Sequence, residues 1–291
     1  MTDGVSTVVY RAERGDERFY LRILPEEGAT FAPEVRAHQL ARSLGCQVPE
    51  VLAYEALDPA LERSIMLTSE IPGRPLSEDV SAIDAEEIVR AAGRDLARIN
   101  SIPVSGFGWV RRDTADVPDE PAAEHPDLAS MLAAEYGTVI DGLPADAVPG
   151  VDAERLRLHL FRALETARAG GESRLAHGDF DTSHIFVHDG RYSGIIDFGE
   201  IRGMPTLYDL GHHRMHDQER LPYSTLGWLI DGYREVSPLP GDSMHQILAW
   251  SSLIAARALY RGLQRTPASQ IVIAARLSLI RDLAEPAGHL A

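Results

Sequence analysis

Alternating apolar and polar residues in the first quarter of the chain predict β-strands, because successive side chains of a strand point to opposite faces. The turn residues Gly15 and Asp16 separate the first two strand-like segments and predict a hairpin. A helix is expected from Pro33 to Gly45, since proline suits a first helical turn and glycine the position after a last one. The strand-like segments are 5–12, 17–24, 48–57 and 63–71.

From about residue 84 onward, apolar residues recur every three or four positions and predict helices, which continue beyond a loop around Pro205. Segment 110–126 is rich in aspartate, proline and alanine and is expected to be an exposed connection. Pro72-Gly73-Arg74-Pro75 is the candidate linker between a β-rich unit and a helical unit. The clearest helical segments are 85–102, 127–142 and 152–170.

One short block inside the helical part has a strand-like pattern instead. Two apolar pieces, HIFV at 184–187 and YSGIIDF at 192–198, are joined by Asp189-Gly190, a dipeptide that strongly favours a hairpin turn. We therefore expect a two-stranded ribbon embedded in the helical unit.

The residues that carry chemistry cluster around this ribbon: Asp179 precedes it, His184 begins it and Asp197 ends it. Phosphoryl transfer needs a carboxylate that orients and deprotonates a hydroxyl, together with carboxylate, oxygen or nitrogen ligands for a divalent metal. Because the hairpin is short, His184 and Asp197 are expected to face each other across neighbouring strands. The spacing therefore predicts three groups that converge on one cation and one phosphoryl group.

Composition narrows the classes of function. The net charge is −16, with 44 acidic and 28 basic residues, which argues against a sequence-independent grip on nucleic acid and against binding to an anionic membrane surface. An acidic surface would attract a cationic substrate, although solubility alone also explains such a charge. We expect no nucleic-acid partner and no membrane partner.

The sequence also bears on location and assembly. It has no stretch near the ~18 consecutive apolar residues of a membrane span, and its start lacks the pattern of a secretory signal. The single cysteine, Cys46, excludes an intramolecular disulfide and a cysteine-based zinc cluster. A cytoplasmic monomer or homodimer is the expectation.

The run His177-Gly178-Asp179, then His184, then Asp197-Phe198-Gly199 resembles the catalytic segment of the aminoglycoside phosphotransferase family, a branch of the protein-kinase-like fold. Kinases read His-Arg-Asp, four residues, Asn, and later Asp-Phe-Gly. The resemblance implies Asp179 as the catalytic base and Asp197 as the main ligand of Mg²⁺. His184 occupies the place of the metal-binding asparagine, and macrolide phosphotransferases of the same superfamily also carry histidine there.

The resemblance implies an α+β, bilobal protein-kinase-like fold. The expected division is a small β-rich N-lobe at 1–71, which binds nucleotide, and a larger, mostly helical C-lobe at 72–291. The C-lobe would contain the catalytic loop and the metal-binding hairpin at 177–199. The co-substrate implied is ATP or GTP.

Five residues of the N-lobe are expected to bind the nucleotide by this resemblance. Arg22 would hold the phosphates, with Glu34 as its partner, and the backbone C=O of Ser69 and N–H of Ile71 would pair with the base. Ser6, in Gly4-Val5-Ser6-Thr7, resembles the end of the phosphate-covering glycine loop, although only three residues precede this motif.

Several other positions carry weaker expectations. Asp181 could hold a cationic group of the substrate or shape the turn, and Glu200 could line the substrate pocket or be exposed. Asp209 is expected to bond the backbone or the catalytic loop. Packing in the core is favoured over a cleft position for Phe107, Trp109 and Tyr233, and packing or exposure over zinc binding for His212, His213 and His216.

The favoured function is transfer of a γ-phosphate from ATP or GTP to a hydroxyl of a small molecule. The acceptor could be an aminoglycoside, a macrolide or another antibiotic, which would make the protein an antibiotic-resistance enzyme, or a metabolite such as a sugar or amino alcohol. Acidic composition favours a polyamine, and His184 favours a macrolide. Two other functions stay open: a nucleotide-binding pseudokinase or regulator, and a metal-dependent hydrolase that uses His177, Asp179 and Asp197.

Overall fold

The computed structural model describes residues 7–78, 85–265 and 270–284. Its strands are β1 Val8–Arg14, β2 Glu17–Ile23, β3 Val51–Asp58, β4 Arg63–Ser69, β5 Arg74–Pro75, β6 Phe107–Val110, β7 Ala123–His125, β8 Arg174–Ala176, β9 Ile185–His188, β10 Arg191–Ile195 and β11 Arg202–Met204. Its α-helices are α1 Ala32–Ser43, α2 Ala85–Ile99, α3 Leu128–Leu132, α4 Thr138–Gly142, α5 Ala153–Arg168, α6 Tyr208–His216, α7 Leu226–Arg234, α8 Ser243–Leu263 and α9 Gln270–Ala284. Shorter helical segments are the 3₁₀ turns Leu76–Glu78 and Phe198–Glu200 and the π-helical segment Ala133–Gly137.

A four-stranded antiparallel sheet forms the small lobe, with the strand order β1-β2-β4-β3. β1 and β2 form the expected hairpin around Gly15, which has a φ of +62°. α1 begins at Ala32, so Pro33 lies in its first turn, and Gly45 follows its end with a φ of +81°. A small core joins this helix to the sheet, made of Leu24, Phe31, Val35 and Met66.

The chain enters the larger lobe through a segment that is anchored to the catalytic hairpin. Arg74–Pro75 pairs as β5 with Phe186 and Val187 of β9. Gly73 has a φ of +106°, and a Cβ there would lie 2.0 Å from the carbonyl oxygen of Val187, so this close approach requires glycine. The expected linker is therefore fixed at its end to the hairpin that carries the candidate metal ligands.

The larger lobe is mostly helical and is built around α8, which contacts α4, α5, α6 and α9. Its core buries large aromatic side chains, and Trp250, Tyr136, Tyr208 and Tyr233 are each almost fully shielded from solvent. The expected core position of Tyr233 agrees with this packing. Within the described parts of the chain, no helix combines the length and the apolar character that a membrane crossing requires.

Segment 110–126 is not simply the exposed connection that its composition suggested. The backbone N–H of Thr30 donates to the carbonyl of Arg112 at 2.8 Å, and the Tyr54 hydroxyl donates to the carbonyl of Ala115 at 2.8 Å. Residues Ala123–His125 form β7 beside β6. Residues 111–120 are irregular and largely exposed, as predicted, but composition did not reveal that their backbone groups find partners on the other lobe.

Candidate active site

A cavity of about 990 Å³ lies between the two lobes. Arg22, Ser69 and Ile71 line it from the small lobe, and Asp179, Asp197 and Glu200 line it from the larger lobe. Six residues singled out from the sequence thus share one cleft, although they come from segments far apart in the chain. Ser6, expected at the phosphates, lies outside the described residues, whereas its neighbour Thr7 lines the cleft.

The loop that carries Asp179 is held by a buried carboxylate. Asp209 accepts hydrogen bonds from the backbone N–H groups of His177 at 2.8 Å and Gly178 at 3.0 Å, and from the side chain of Asn100 at 2.8 Å. The role expected for Asp209 in bonding the catalytic loop therefore agrees with its contacts. Asn100 was not singled out, because a lone asparagine at a helix end gives no sequence signal.

Gly178 allows this loop to pass close to the segment after the hairpin. Its φ is +89°, and a Cβ at this position would lie 1.8 Å from the carbonyl oxygen of Glu200. The absence of a side chain therefore brings the backbone of Glu200 against the base of the loop. Asp179 and Glu200 line the cleft next to each other as a result.

A buried histidine lies behind Asp179. His212 Nε2 is 3.4 Å from Asp179 Oδ1, while Nδ1 lies 3.2 Å from the carbonyl oxygen of Phe180. Both neighbours are acceptors, so the neutral ring, which has one N–H, donates to only one of them at a time. Burial lowers the pKa of His212 to about 4, although the negative charge of Asp179 acts to raise it. His212 is thus packed, as expected, but its contact with the candidate base was not foreseen.

The hairpin brings His184 and Asp197 together. The distance from His184 Nε2 to Asp197 Oδ2 is 3.8 Å, and the N–H of Ile196 donates to the carbonyl of His184 at 3.1 Å. The Asp189-Gly190 turn has the positive φ angles that such a tight turn requires, 50° and 72°. Asp197 itself has a φ of +67°, an uncommon conformation that directs its half-exposed carboxylate into the cleft.

This donor set fits Mg²⁺. Across residues 7–78, 85–265 and 270–284, no cluster of three or more histidine, cysteine, aspartate or glutamate side chains encloses a metal position. Mg²⁺ is usually held by one or two carboxylates, with water and substrate phosphates as its other ligands, so Asp197 open to a cleft suits it. His184 Nδ1 is buried without a hydrogen-bond partner and lies 4.0 Å from Asp181 Oδ1, while Nε2 is the nitrogen that faces Asp197.

On the small-lobe side, Arg22 and Glu34 form the expected ion pair. Glu34 is fully buried on α1, and Arg22 Nη1 donates to its carboxylate, while Arg22 Nη2 donates to the Thr7 hydroxyl at 3.3 Å. Burial alone would raise the pKa of Glu34, but the Arg22 guanidinium, His38 and Arg112 together lower it. The ion pair therefore positions the Arg22 guanidinium at the edge of the cleft.

Two residues that were not singled out tie this pair to the catalytic hairpin. Arg112 Nη2 lies 3.8 Å from Glu34 Oε2 and donates to the carbonyl of Gly199 at 2.6 Å. The His38 ring packs on the Phe198 ring with centroids 4.6 Å apart. Glu34 and the Asp-Phe-Gly segment are therefore positioned by the same neighbours.

Asp181 and Glu200, the weaker candidates, differ in placement. The Asp181 carboxylate is buried and accepts hydrogen bonds from the backbone and hydroxyl of Ser183, both at 2.5 Å, which favours the turn-shaping alternative. Burial acts to raise the pKa of Asp181, but His184, His216 and the hydrogen bonds from Ser183 outweigh it, so the pKa is lowered. Glu200 lines the cleft, and burial, with the nearby charge of Asp179, raises the pKa of its carboxyl.

The larger lobe contributes a further surface of the cleft, which we call the arginine wall: Trp109, Arg111, Arg112, Arg257 and Arg261. Trp109 was expected in the core, but it lines the cleft, and the guanidinium of buried Arg202 stacks on its ring, 3.6 Å from the centroid. Neither the cation–π pair nor the arginines were found from the sequence, since they join β6, β11 and α8.

Known proteins share this sequence pattern and this architecture. The sequence profile of the phosphotransferase enzyme family matches residues 1–239. An aminoglycoside 3'-phosphotransferase of Enterococcus faecalis is 26% identical over 214 residues, which are 72% of this chain and 75% of that protein.

Two solved structures extend the comparison to the fold. A thermostable mutant of the aminoglycoside phosphotransferase APH(4)-Ia, in ternary complex with AMP-PNP and hygromycin B, aligns over 99% of this chain and 93% of its own, with a TM-score of 0.67 and 15% identity. A choline/ethanolamine kinase family protein of Mesorhizobium loti aligns over 99% and 92%, with a TM-score of 0.63 and 19% identity. These likenesses confirm the expected α+β, bilobal protein-kinase-like fold.

Proposed function

The chain belongs to the phosphotransferase enzyme family and is a small-molecule kinase, and on this premise we propose that Asp179 is its catalytic base. The observation that carries the proposal is that the Asp179 and Asp197 carboxylates line the same cleft as the Arg22 guanidinium. A base, a metal ligand and a phosphate-binding cation are the parts that phosphoryl transfer requires.

The reaction follows from these positions. ATP or GTP binds with its base at Ser69, which ends β4, and at Ile71, two residues further on, and with its phosphates toward Arg22. The acceptor hydroxyl gives its proton to Asp179 while its oxygen bonds to the γ-phosphorus, and the bond from that phosphorus to the β-phosphate oxygen breaks. The nucleoside diphosphate leaves, and a phosphate monoester of the acceptor is formed.

Asp197 and His184 would hold Mg²⁺, which neutralises charge on the phosphates when it is bound. The fit of this donor set to a hard cation supports the assignment of Asp197 more directly than that of His184, because magnesium prefers oxygen ligands. His184 would then act through a metal-bound water. Aminoglycosides and macrolides are acceptors that the family suggests.

The test of the base is hydrolysis of ATP by wild type and by Asp179→Asn, with affinity for a non-hydrolysable ATP analogue measured in parallel. We expect Asp179→Asn to abolish Mg²⁺-dependent hydrolysis and to leave analogue binding intact. Asp189→Asn is the matched control, since Asp189 is an exposed turn residue of the same hairpin. Unchanged hydrolysis in Asp179→Asn would contradict the role of Asp179, and wild type that binds nucleotide without turnover would instead indicate a pseudokinase.

A further inference from the structure

One helix of the larger lobe, α6, reaches the catalytic loop with two side chains. Asp209 accepts hydrogen bonds from the backbone N–H groups of His177 and Gly178. His212 is three residues further along α6 and therefore on the same side of the helix, and its ring contacts the carboxylate of Asp179. Asp209 thus holds the backbone of the loop, whereas His212 contacts the side chain that the loop presents to the cleft.

The surroundings of α6 keep the His212 ring in place. Gly211 lies against α8, where a Cβ would be 2.4 Å from Trp250 Cβ, so this close approach of the two helices requires glycine. The ring centroids of His212 and His216 are 5.0 Å apart, and His216 Nδ1 lies 2.8 Å from Glu219 Oε2. Because the His212 side chain is also buried, packing fixes the orientation of its ring.

The two ring nitrogens of His212 face two acceptors. Nδ1 lies 3.2 Å from the carbonyl oxygen of Phe180, and Nε2 lies 3.4 Å from Asp179 Oδ1. The carboxylate is the stronger acceptor, since a hydrogen bond to an ionised group is about twice as strong as one between neutral groups. Hydrogen bonds of catalytic groups are often long before substrate binds and shorten in the reactive complex, so the ring N–H is within reach of Asp179.

We infer that His212 is a positioning residue for the proposed base: its Nε2–H donates to Asp179 Oδ1, so that Oδ2 is the oxygen that takes the proton of the acceptor hydroxyl. The inference rests on the proposed function, because the contact has a role in the reaction only if Asp179 is the base. The ring keeps its own proton throughout. Its effect is to stop the carboxylate from rotating away from the hydroxyl, and a small misplacement of a reacting group lowers a rate by up to about 10²-fold.

Three variants of His212 separate the contributions of its two nitrogens. The amide nitrogen of glutamine reaches about as far along the side chain as Nε2, and that of asparagine about as far as Nδ1. His212→Gln therefore keeps a donor for Asp179, whereas His212→Asn keeps only the contact with Phe180. His212→Phe keeps a ring without either nitrogen. Because two variants lack the Nε2 donor, a folding failure in one of them leaves the other to decide.

The test is Mg²⁺-dependent hydrolysis of ATP, in which water replaces the acceptor hydroxyl. Affinity for a non-hydrolysable ATP analogue and the midpoint of thermal unfolding are measured on the same preparations. We expect kcat to fall about 10- to 100-fold in His212→Asn and His212→Phe and to stay near that of wild type in His212→Gln. Analogue affinity should be unchanged in all three, because His212 is not among the described residues that line the cleft.

His213→Asn is the matched control. His213 is the next residue of α6, is also buried, and has its Nε2 2.8 Å from the Thr225 hydroxyl oxygen. Its ring centroid lies 5.8 Å from that of Phe180, so the variant disturbs the packing of the loop and keeps the contact between His212 and Asp179. We expect a lower unfolding midpoint and the kcat of wild type.

The outcomes separate this inference from the proposed function. Wild-type kcat in His212→Asn and His212→Phe, an equal fall of kcat in His212→Gln, or an equal fall in His213→Asn would each overturn the positioning role. Loss of hydrolysis in Asp179→Asn would leave the kinase assignment standing in those cases. Hydrolysis that survives in Asp179→Asn would overturn the base itself and, with it, the role of His212.

Discussion

The catalytic segment and the arginine wall border the same cleft but are assembled in different ways. Asp179, His184 and Asp197 come from one short stretch, whose loop and hairpin bring them together. Trp109, Arg112 and Arg261 come from a strand, a connection and a late helix. The residues proposed to carry out phosphoryl transfer thus lie close together in the chain, whereas the arginine wall depends on the tertiary fold.

The two regions also differ in charge and in redundancy. The catalytic side presents carboxylates to the cleft, and among the described residues the carboxylate that pairs with Arg22 is Glu34. The wall presents guanidiniums, and Glu135 behind it pairs with two of them, Arg257 of the wall and the buried Arg202. We therefore expect changes on the catalytic side to cost more than changes on the wall.

The largest expected effect is on turnover. Asp179→Asn should lower kcat for phosphate transfer by on the order of 10²- to 10⁴-fold, the usual contribution of a general base. Arg261→Gln should lower kcat much less, because Arg261 lines the cleft but is not one of the three groups proposed to act on the phosphoryl group. Steady-state kinetics of both variants check this difference in kcat. A fall in kcat for Arg261→Gln as large as that for Asp179→Asn would remove the distinction between the regions.

The next effect is on stability. Glu34→Gln leaves Arg22 without its buried counter-charge and should lower the free energy of unfolding by about 3–5 kcal/mol, as for other broken buried pairs. Arg257→Gln should cost only about 1 kcal/mol, because Glu135 keeps Arg202. Urea unfolding measures both, with Glu50→Gln as the control, since its pair with Arg42 is exposed and worth little. Equal losses in the first two variants would contradict the difference in redundancy.

Gly178 belongs to the catalytic side and lets the catalytic loop touch the backbone of Glu200, just after the hairpin. Gly178→Ala should lower stability by about 2–4 kcal/mol, from the cost of a left-handed conformation and of a steric overlap. Gly190→Ala is the matched control: it has a φ of +72° but no atom near its Cβ position, so about 1 kcal/mol is expected. Thermal unfolding with equal losses in both variants would show that the contact with Glu200 has no energetic role.

The smallest effect concerns pH and the helix behind the wall. His159 Nε2 lies 2.8 Å from the Ser252 hydroxyl on α8, and burial lowers the pKa of His159 from 6.5 to about 4. The unfolded chain therefore takes up a proton before the folded chain does, and stability falls as the pH drops from about 6.5 toward 4. Between pH 7.5 and 5.0 this histidine should account for about 2 kcal/mol of lost stability.

Unfolding in urea at the two pH values checks this expectation. His159→Gln, which keeps a hydrogen-bonding group, should lose about 2 kcal/mol less than wild type over the same interval. An identical loss in wild type and variant would mean that His159 titrates normally in the folded protein.

Local sequence predicted the catalytic half of the site because its residues are neighbours in the chain. The Asp189-Gly190 turn fixes the hairpin, and the hairpin fixes the distance between His184 and Asp197. The partnership of Arg22 and Glu34 was implied by the resemblance to the family, and the structure forms this ion pair. Their catalytic roles remain predictions that the variants above test.

The rest of the site could not be predicted because its contacts join distant segments. Asn100 reaches Asp209 from α2, and Arg112 reaches Gly199 from a segment whose composition suggested only an exposed connection. Trp109 was assigned to the core since its stacking partner, Arg202, lies in a strand much later in the chain. Such pairings depend on the packing of the whole larger lobe and leave no periodic signal.

The most direct test of the central claim, that Asp179 and Asp197 act on one magnesium nucleotide, is ATP affinity measured with and without Mg²⁺. We predict that Mg²⁺ strengthens ATP binding to wild type and to Asp179→Asn alike, and that this gain falls at least about tenfold in Asp197→Asn. Asp189→Asn should behave like wild type. A magnesium dependence in Asp197→Asn equal to that of wild type would contradict the account.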